Sequence, residues 1–423
     1  MLLRDVLLLD SSMESARSCD IVVSGSVIGA ILPPRSTEGP ADIDGKGKTA
    51  VLPGFVNAHA HAAMTLLRGL GEEAPLMEWL QQRIWPVEAR LTPEHVFWGT
   101  RLALLEMVSA GVTCFADMYF FMDQVAEAAL MAGMRCALSR GLVGADEAKI
   151  QEGVDLIRRY HDPNGLVTIQ LGPHAIYTVP PAAFREISQT AGEFGVGVHT
   201  HWLETEWEAR YIREELRKDP VDLLEEVGLH EVPFALLAHG VWFPEDRLRD
   251  LANSPLSIVH NPNSNLKLGS GVAPVPAFLE KNVRVALGTD GAASNNRLDV
   301  WDEMRTCSLL HKGIRRDPSI VLASEVLRMA TLDGAKALGL ENVGLLKPGW
   351  QADLVLVDLD KPQYVGATPE TLCASLVYSG SSADVTGTVV AGKWLYRDGV
   401  HLTLERETIL EKAAACRKEL LQD

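Results

Sequence analysis

The middle of the chain alternates between short apolar runs that end in polar residues and longer stretches with helical periodicity. Runs of this kind predict buried parallel strands, each followed by a helix. Their starts are separated by roughly 20–60 residues, which leaves room for a helix each time. Eight such units in succession predict a closed (β/α)8 barrel, an α/β fold of the TIM type. The predicted strands are 54–61, 111–118, 135–141, 167–174, 195–201, 234–239, 256–260 and 284–290.

Both ends of the chain show a different pattern, in which short β-branched or leucine-rich runs are separated by Ser, Gly and Pro. These runs predict strands at 6–9, 20–23, 27–32 and 352–358, a hairpin over 387–396 and a final helix over 406–421. The two ends are too short to fold alone. We therefore expect a small β-sandwich domain built from both chain termini, 1–53 and 344–423, around a barrel domain, 54–343.

Composition narrows the class of function. Lys plus Arg is 39 against 56 Asp plus Glu, which gives a net charge of −17. A chain this acidic repels a phosphate backbone and an anionic membrane surface, so we expect neither nucleic acid nor a membrane as partner. The sequence has no run of 18 apolar residues and no signal-peptide pattern. Its six cysteines are scattered without a C-x-x-C pair, which favours a reducing, cytoplasmic location.

Histidines collect at the C-terminal ends of the predicted barrel strands, the face where such barrels place their active sites. His59 and His61 alternate along one strand, so both imidazoles point into the barrel and can hold one cation. Alternation does not separate His199 from His201, because both face inward. We prefer His201 as a ligand, because it lies nearer the mouth and has Glu204 just past the strand end. Seven of the twelve histidines fall at these ends: His59, His61, His174, His199, His201, His239 and His260.

Four ordered motifs at these strand ends resemble the amidohydrolase superfamily. The segment Leu52-Pro-Gly-Phe-Val-Asn-Ala-His-Ala-His61 is similar to its P-G-x-[IV]-[DN]-x-H-x-H signature. The resemblance covers nearly the whole chain and implies a metal-dependent hydrolase with His201 as a ligand. The fourth predicted strand lacks the lysine that bridges two metals in binuclear members, which points to one catalytic metal per chain. The other three motifs are His199-Thr-His-Trp-Leu-Glu204, Ala238-His239 and Gly288-Thr-Asp-Gly291.

The residue types in these motifs suit a hydrolytic reaction. Three imidazoles (His59, His61 and His201) and the Asp290 carboxylate around an open position fit Zn²⁺, with Fe²⁺ as the alternative. Glu204 can carry a proton to a ring nitrogen, or it can merely orient His201. Asp290 can also accept the proton of water. His239 can orient the attacking hydroxide, or it can lie behind the metal ligands and hold them in place. Together they fit hydrolytic deamination of a ring carbon.

Further segments are similar to the 5-methylthioadenosine/S-adenosylhomocysteine deaminases. The resemblance implies that Glu88 accepts hydrogen bonds from ribose hydroxyls, that His174 contacts the ribose or purine, and that Trp79 packs against the ligand. Each has a plainer alternative: a helix-end charge, a hydrogen-bonded strand-end histidine and a core residue. Arg140 could pair with a substrate carboxylate or with an internal acid. The segments are Glu78-Trp-Leu80, Trp85-Pro-Val-Glu88, Ser139-Arg-Gly141, Gly172-Pro-His-Ala-Ile-Tyr177 and the stretch from His260 to Gly271.

The expected function is metal-dependent deamination of a free adenine nucleoside to the inosine analogue and ammonia. The nucleoside would be 5′-methylthioadenosine, S-adenosylhomocysteine or an adenosine-like molecule. Two alternatives are kept. One is an aminohydrolase or chlorohydrolase of another ring, such as guanine, a pterin or an s-triazine. The other is an inactive metal-binding relative. Assembly into a homo-oligomer is left open by the sequence.

Overall fold

The computed structural model describes residues 1–422 and places their strands in two sheets. Numbered in chain order, the strands are β1 Leu2–Leu9, β2 Ala16–Ser24, β3 Val27–Leu32, β4 Ile43–Asp44, β5 Thr49–Pro53, β6 Phe55–His61, β7 Val112–Tyr119, β8 Arg135–Leu142, β9 Val167–Pro173, β10 Val198–Trp202, β11 Ala235–His239, β12 Leu256–His260, β13 Arg284–Leu287, β14 Asp290–Gly291, β15 Leu354–Asp358, β16 Val385–Val390, β17 Lys393–Arg397 and β18 Val400–His401.

Helices follow most of the central strands. They are α1 Leu76–Glu78, α2 Trp85–Glu88, α3 Pro93–Ser109, α4 Met122–Ala132, α5 Glu147–Tyr160, α6 Pro181–Phe194, α7 Glu206–Glu214, α8 Asp222–Glu226, α9 Pro262–Lys267, α10 Val275–Glu280, α11 Val300–Arg315, α12 Ala323–Met329, α13 Leu332–Ala337, α14 Leu372–Ser379 and α15 Arg406–Leu420. Short 3₁₀ segments occupy Ala62–Leu67, Glu245–Leu251, Pro362–Tyr364 and Ser382–Asp384, and Trp79–Ile84 is a π-helical turn. Within residues 1–422, no helix combines the length and the apolar character needed to cross a membrane.

The central sheet is a closed parallel barrel. Strands β6 to β13 pair in chain order, and β14 pairs with β6, which closes the ring. Strands β13 and β14 are two parts of the eighth barrel strand, separated by Gly288 and Thr289. The strands are buried along almost their whole length, as in β7, because helices cover the outside and side chains fill the inside. The predicted (β/α)8 fold is confirmed.

Strand five begins later than the sequence predicted. The expected start was residue 195, but β10 begins at Val198. Gly195 instead ends helix α6 in the left-handed conformation, with φ +67°. A glycine at this position closes a helix without the steric cost that a Cβ would bring, so the apolar run starts in the helix cap and not in the strand.

The barrel strands share an apolar cluster with the helix that follows the last strand. Ala58, Ala116 and Ala137 belong to it together with Ala335 and Leu338 from the region of α13. Layers of side chains of this kind make a barrel interior a packed core and not a pore. The C-terminal mouth is therefore where a ligand can enter.

The second sheet is built from both chain termini, as predicted. Its order is β18-β17-β16-β15-β5-β1-β2-β3, with β4 also paired to β1. Strand β5 joins the two halves, because it pairs parallel with β1 and antiparallel with β15. The sheet has an apolar cluster of its own, which includes Leu3, Ile21 and Leu354.

Several contacts connect the terminal segments to the barrel, among them a buried ion pair and the packing of the last helix. Arg135, the first residue of β8, forms a buried ion pair with Asp353, with Nε 2.7 Å from Oδ2. Helix α15 packs on α3 of the barrel, and Arg417 of α15 donates to the Leu66 carbonyl. The last helix therefore lies on the barrel although it belongs to the predicted sandwich segment. The domain boundaries at 53/54 and 343/344 stay predictions.

Candidate active site

Five polar side chains converge at the C-terminal mouth of the barrel. They come from four strands that are distant in sequence: His59 and His61 from β6, His201 from β10, His239 from β11 and Asp290 from β14. A cavity of about 600 Å³ opens above them, and His61, His201, His239 and Asp290 line it. His59 lies at its base and is fully buried.

The spacing of the ligand atoms suits one small divalent cation. Asp290 Oδ1 lies 3.2 Å from His61 Nε2 and 3.4 Å from His59 Nε2. His201 Nε2 lies 3.3 Å from His61 Nε2. Metal–nitrogen and metal–oxygen bonds of about 2.0–2.2 Å, set roughly 90–110° apart so that a position for water remains, put neighbouring ligand atoms about 2.8–3.6 Å apart. These four side chains are thus already at the separations that such a cation needs.

Backbone carbonyls fix the tautomers of two of these histidines. His61 Nδ1 donates to the Met118 carbonyl at 2.6 Å. His201 Nδ1 donates to the His174 carbonyl at 2.8 Å. With the proton on Nδ1, each ring directs Nε2 toward the cavity, which is the usual arrangement of metal-ligating histidines. Burial lowers the pKa of His61, but its contacts with Asp290 outweigh burial and raise it to about 9, so a cation that binds there displaces a proton from Nε2.

A chain of hydrogen bonds below the mouth fixes the tautomer of His59. Ser139 Oγ donates to the Asp117 carbonyl, so it accepts from His199 Nδ1 at 3.3 Å. His199 Nε2 then accepts from His59 Nδ1 at 2.7 Å. Burial lowers the pKa of His59 to about 4 and that of His199 well below its usual value, so both rings are neutral. His199 therefore lies behind His59, and His59 Nε2 faces Asp290.

Asp290 is held as a carboxylate. Ser264 Oγ donates to Oδ2 at 2.6 Å, Ser294 Oγ donates to the same atom at 3.0 Å, and the Gly291 amide donates to Oδ1 at 2.8 Å. Burial raises the pKa of Asp290, but contacts with His59 and His61 outweigh burial and hold it well below its usual value. Asp290 also has φ +61°. Strained backbone of this kind occurs where the surrounding structure fixes a functional side chain.

Glu204 is buried at the edge of the same cluster. Its Oε2 lies 3.7 Å from His239 Nε2, and its Oε1 accepts from Ser270 Oγ at 3.2 Å. Burial raises the pKa of Glu204, which favours the protonated acid. The preceding Leu203 has φ +54°, and the buried Glu208 carboxyl accepts from the Glu204 amide at 3.0 Å. This tight turn aims the Glu204 side chain back into the mouth.

His239 is oriented by an amide. It also has a left-handed backbone, with φ +75°. Its Nδ1 contacts Asn265 Oδ1 at 2.7 Å, and because that oxygen only accepts, Nδ1 carries the proton. His239 Nε2 therefore faces Glu204 and the cavity.

The outer wall of the cavity includes Glu88, Trp79 and His174. Glu88 is half-buried, and burial raises its pKa. Trp79 is buried, opens the π-helical turn and donates from Nε1 to the Leu70 carbonyl at 3.2 Å. It is thus a core residue and a wall of the cavity at once. His174 Nδ1 contacts Thr178 Oγ1 at 2.9 Å.

Arg140 pairs with an internal acid in this structure. Its Nε donates to Glu152 Oε2 at 3.0 Å, and its guanidinium lies 5.2 Å from the centre of the Phe120 ring. All three residues line the cavity. Of the two pairings that the sequence left open, the structure shows the internal one.

Sequence reasoning missed the residues that support this cluster. Ser264 and Asn265 lie in the stretch from His260 to Gly271 that we recognised only as a resemblance, without assigning a role. Ser270 lies in the same stretch and was given no role either. Ser294 and Glu208 carried no signal, because serines and glutamates at such positions are usually surface residues. Only the folded chain brings their hydroxyl and carboxyl groups within hydrogen-bond distance of the mouth.

Comparisons with known proteins agree with this geometry. Residues 50–395 match the model of the amidohydrolase family. A 5-methylthioadenosine/S-adenosylhomocysteine deaminase from Dictyoglomus thermophilum is 44% identical over 384 residues, which cover 90% of this chain and 89% of that one. A zinc-bound adenosine deaminase from Xanthomonas campestris superposes with a TM-score of 0.92 at 33% identity, covering 99% and 98%. An atrazine chlorohydrolase from Arthrobacter aurescens, complexed with zinc, has a TM-score of 0.87 at 25% identity, covering 98% and 99%.

Proposed function

Because the chain belongs to the amidohydrolase family and, within it, to the 5-methylthioadenosine/S-adenosylhomocysteine deaminases, we propose that it deaminates a free adenine nucleoside with a 5′-thio substituent. The products are the inosine analogue and ammonia. The observation that carries this proposal is the placement of Glu204 and His239 beside the three imidazoles and Asp290, at the base of the cavity.

His59, His61, His201 and Asp290 would hold one divalent metal at the mouth, which is one catalytic metal per chain. We propose Zn²⁺, with Fe²⁺ as the alternative, because neutral imidazoles and a carboxylate suit both. Two observations support this fit: the Nε2 atoms of the three histidines face the mouth, and the distances between neighbouring ligand atoms are 3.2–3.4 Å. When bound there, the metal would supply a Lewis acid that lowers the pKa of a water molecule toward about 7. The fourth barrel strand offers Gln170 and no lysine, so a bridge to a second ion at the mouth is lacking.

The protein's own groups would handle the protons. Asp290, kept ionised by its contacts, accepts a proton from the attacking water. His239, with its proton on Nδ1, offers Nε2 as the acceptor that orients the water toward purine C6. Glu204, whose pKa is raised, donates to N1 and makes C6 more electrophilic. Asp290 then passes its proton to the C6 amino group, the C6–N bond breaks and ammonia leaves. Glu204 regains a proton from the new C6 hydroxyl as the inosine carbonyl forms.

The remaining wall residues would bind the nucleoside. Glu88 would accept hydrogen bonds from the ribose hydroxyls, and His174 would contact the ribose or the purine. Thr178 Oγ1 donates to the Ala175 carbonyl, so His174 Nδ1 carries a proton and its Nε2 is a free acceptor. Trp79 would pack against the ligand. Arg140, together with Glu152, would border the 5′ substituent.

The six cysteines support a cytoplasmic location as part of this proposal. All of them are buried and unpaired by disulfide bonds. Buried thiols that stay reduced are typical of a reducing compartment.

Ammonia release from a substrate panel tests the proposed function. The panel contains 5′-methylthioadenosine, S-adenosylhomocysteine, adenosine, adenine, guanine, a pterin and a chloro-s-triazine, each added to zinc-loaded protein. Chloride release is measured as well for the triazine, because its chlorine would leave in place of an amino group. We expect the 5′-thio nucleosides to have the highest kcat/KM. Faster turnover of guanine, the pterin or the triazine would replace the substrate assignment, and no turnover of any compound by metal-replete protein would indicate an inactive relative.

A further inference from the structure

A second group of metal-ligand side chains lies outside the mouth, between the barrel and a covering helix. His260 is the last residue of β12, and Cys307 and His311 are four residues apart on α11. Residues at this spacing share one face of a helix, and here that face is turned toward β12. All three side chains are buried, with 0%, 0% and 2% exposure. One ligand atom from each lies within 4.8 Å of the other two.

The histidines of this group differ from those at the mouth in their hydrogen bonding. Neither ring nitrogen of His260 has a hydrogen-bond partner among residues 1–422, and His311 Nε2 has none either. By contrast, Nδ1 of His59, His61, His201 and His239 is bonded in each case. A buried polar atom without a partner costs about 1–3 kcal/mol. Three such atoms in one cluster indicate that something else satisfies them.

The protonation states suit a cation. Burial lowers the pKa of His311 to about 4 and that of His260 well below its usual value, so both rings keep lone pairs. Burial raises the pKa of the Cys307 thiol, so binding must displace its proton. One turn before Cys307, the buried Glu303 carboxyl is held by Asn263 and Asn295. Burial raises the pKa of Glu303 to about 8, so this carboxyl would become ionised only together with the binding of a nearby cation.

We propose that His260, Cys307 and His311 form a second metal site that takes one thiophilic divalent cation of the zinc class. Two imidazoles and a thiolate are ligands that zinc prefers, with the fourth position open to water. Binding forms the metal–sulfur bond, releases the Cys307 proton to solvent and requires no redox step. The ion would pin α11 to the end of β12. This inference is independent of the deaminase proposal, because no residue is shared between the two sites.

Cobalt is a suitable probe, because only a sulfur ligand gives a thiolate-to-cobalt charge-transfer band. The ligand set proposed for the mouth contains no sulfur. Protein produced in cobalt-supplemented medium, so that the ion can enter during folding, should hold about two cobalt ions per chain and show this band. The His201→Asn variant should lose about one ion and keep the band, which separates the two sites.

The matched variants are Cys307→Ser and Cys373→Ser, both at buried cysteines in helices. Cys307→Ser should lose the band and about one ion while it keeps deaminase activity, and Cys373→Ser should keep both ions and the band. The wild-type spectrum decides the matter even if a variant fails to fold. Active wild-type protein with one cobalt ion and no thiolate band would overturn the proposal and leave a buried water as the partner of these histidines.

Discussion

The positions of single protons on the histidines and carboxyls determine which chemistry the mouth can perform. His59, His61 and His201 each carry the proton on Nδ1, because His199 and two backbone carbonyls accept it there. With the proton on Nε2, the same three rings would have no lone pair directed at the cavity, because Nδ1 points away from it. Glu204 and Asp290 are carboxyls whose environments push their pKa values in opposite directions, up by burial and down by histidine contacts. Two carboxyls whose pKa values are shifted in opposite directions are typical of a general acid and a general base in one active site.

The Glu204→Gln variant tests the acid. It keeps the shape and the contact with Ser270 but cannot donate a titrating proton. We expect a loss of about 10²–10⁴-fold in kcat with metal content unchanged. The matched control is Glu206→Gln, an exposed position in the first turn of α7, which should leave kcat at the wild-type value. Near-native kcat in metal-replete Glu204→Gln protein would reduce Glu204 to an orienting role.

Paired replacement of His201 and His199 tests the choice of ligand. His201→Asn should lose about one metal ion per chain, because its Nε2 faces the other ligand atoms. His199→Asn should bind metal at saturating concentration and show mainly a lower free energy of unfolding, because His59 and Ser139 lose a buried partner. Elemental analysis and denaturant titration measure the two effects. Loss of metal in the His199 variant alone would show that the ligand was assigned wrongly.

At the residue scale, the sequence identified the side chains of the mouth but not their tautomers. The H-x-H and H-x-H-x-x-E patterns point to a metal cluster, because ligand types and alternation are visible in a sequence. The His59–His199–Ser139 chain and the Glu204–Glu208 contact depend on side-chain directions from separate strands. Those directions are set by tertiary packing, so they could not be predicted.

Among the elements, the strand ends and the segment after β6 shape the site. Leu203, His239 and Asp290 all have positive φ values at or just past the ends of their strands. Each bends the chain where an extended strand would point its side chain past the mouth. The segment from α1 through the π-helical turn to α2 brings Trp79 and Glu88 to the outer wall. Single π-helical turns are frequent at functional sites.

The Glu88→Ala variant tests the role of this segment in binding ribose. We expect kcat/KM for 5′-methylthioadenosine to fall about tenfold or more, because charge-assisted hydrogen bonds contribute about 1.5–3 kcal/mol. Turnover of free adenine, which lacks the ribose, should not change. The exposed Glu78→Ala variant, on the same segment, is the control. An equal loss for the nucleoside and the free base would contradict the ribose assignment.

The barrel strands could be predicted because each is a continuous apolar run that ends in chemistry-bearing residues. The break at Gly288 and Thr289 could not be predicted, because the apolar run gives no sign that Thr289 is hydrogen-bonded to Asn57 of the neighbouring strand β6. Strands β4 and β5 were also missed. β4 has only two residues, and β5 ends at Pro53, where the Pro-Gly pair indicates the start of the first barrel strand and not the end of a preceding strand.

For the whole molecule, one buried ion pair connects the two sheets. Arg135 starts a barrel strand, Asp353 precedes β15, and both side chains are buried. Asp353 also accepts from the Ala391 amide at 2.7 Å. The pair lies at the closed end of the barrel, opposite the mouth. It should therefore affect stability without affecting the reaction.

The Asp353→Asn variant tests this connection. It leaves the buried Arg135 without a counter-charge, which typically costs about 3–5 kcal/mol. We expect a lower denaturation midpoint and an unchanged kcat/KM. Glu231→Gln, which breaks the exposed pair with Arg185, is the control and should cost less than about 1 kcal/mol. Equal midpoints for the two variants would show that the buried pair does not hold the sheets together.

The central claim is that the mouth exchanges an amino group for an oxygen from water at C6 of an intact nucleoside. Mass spectrometry of the products from 5′-methylthioadenosine in ¹⁸O-labelled water measures this directly. We predict a labelled methylthioinosine, with ammonia released in equal amount and the glycosidic bond unbroken. Release of free adenine, or a product without solvent oxygen, would contradict the account.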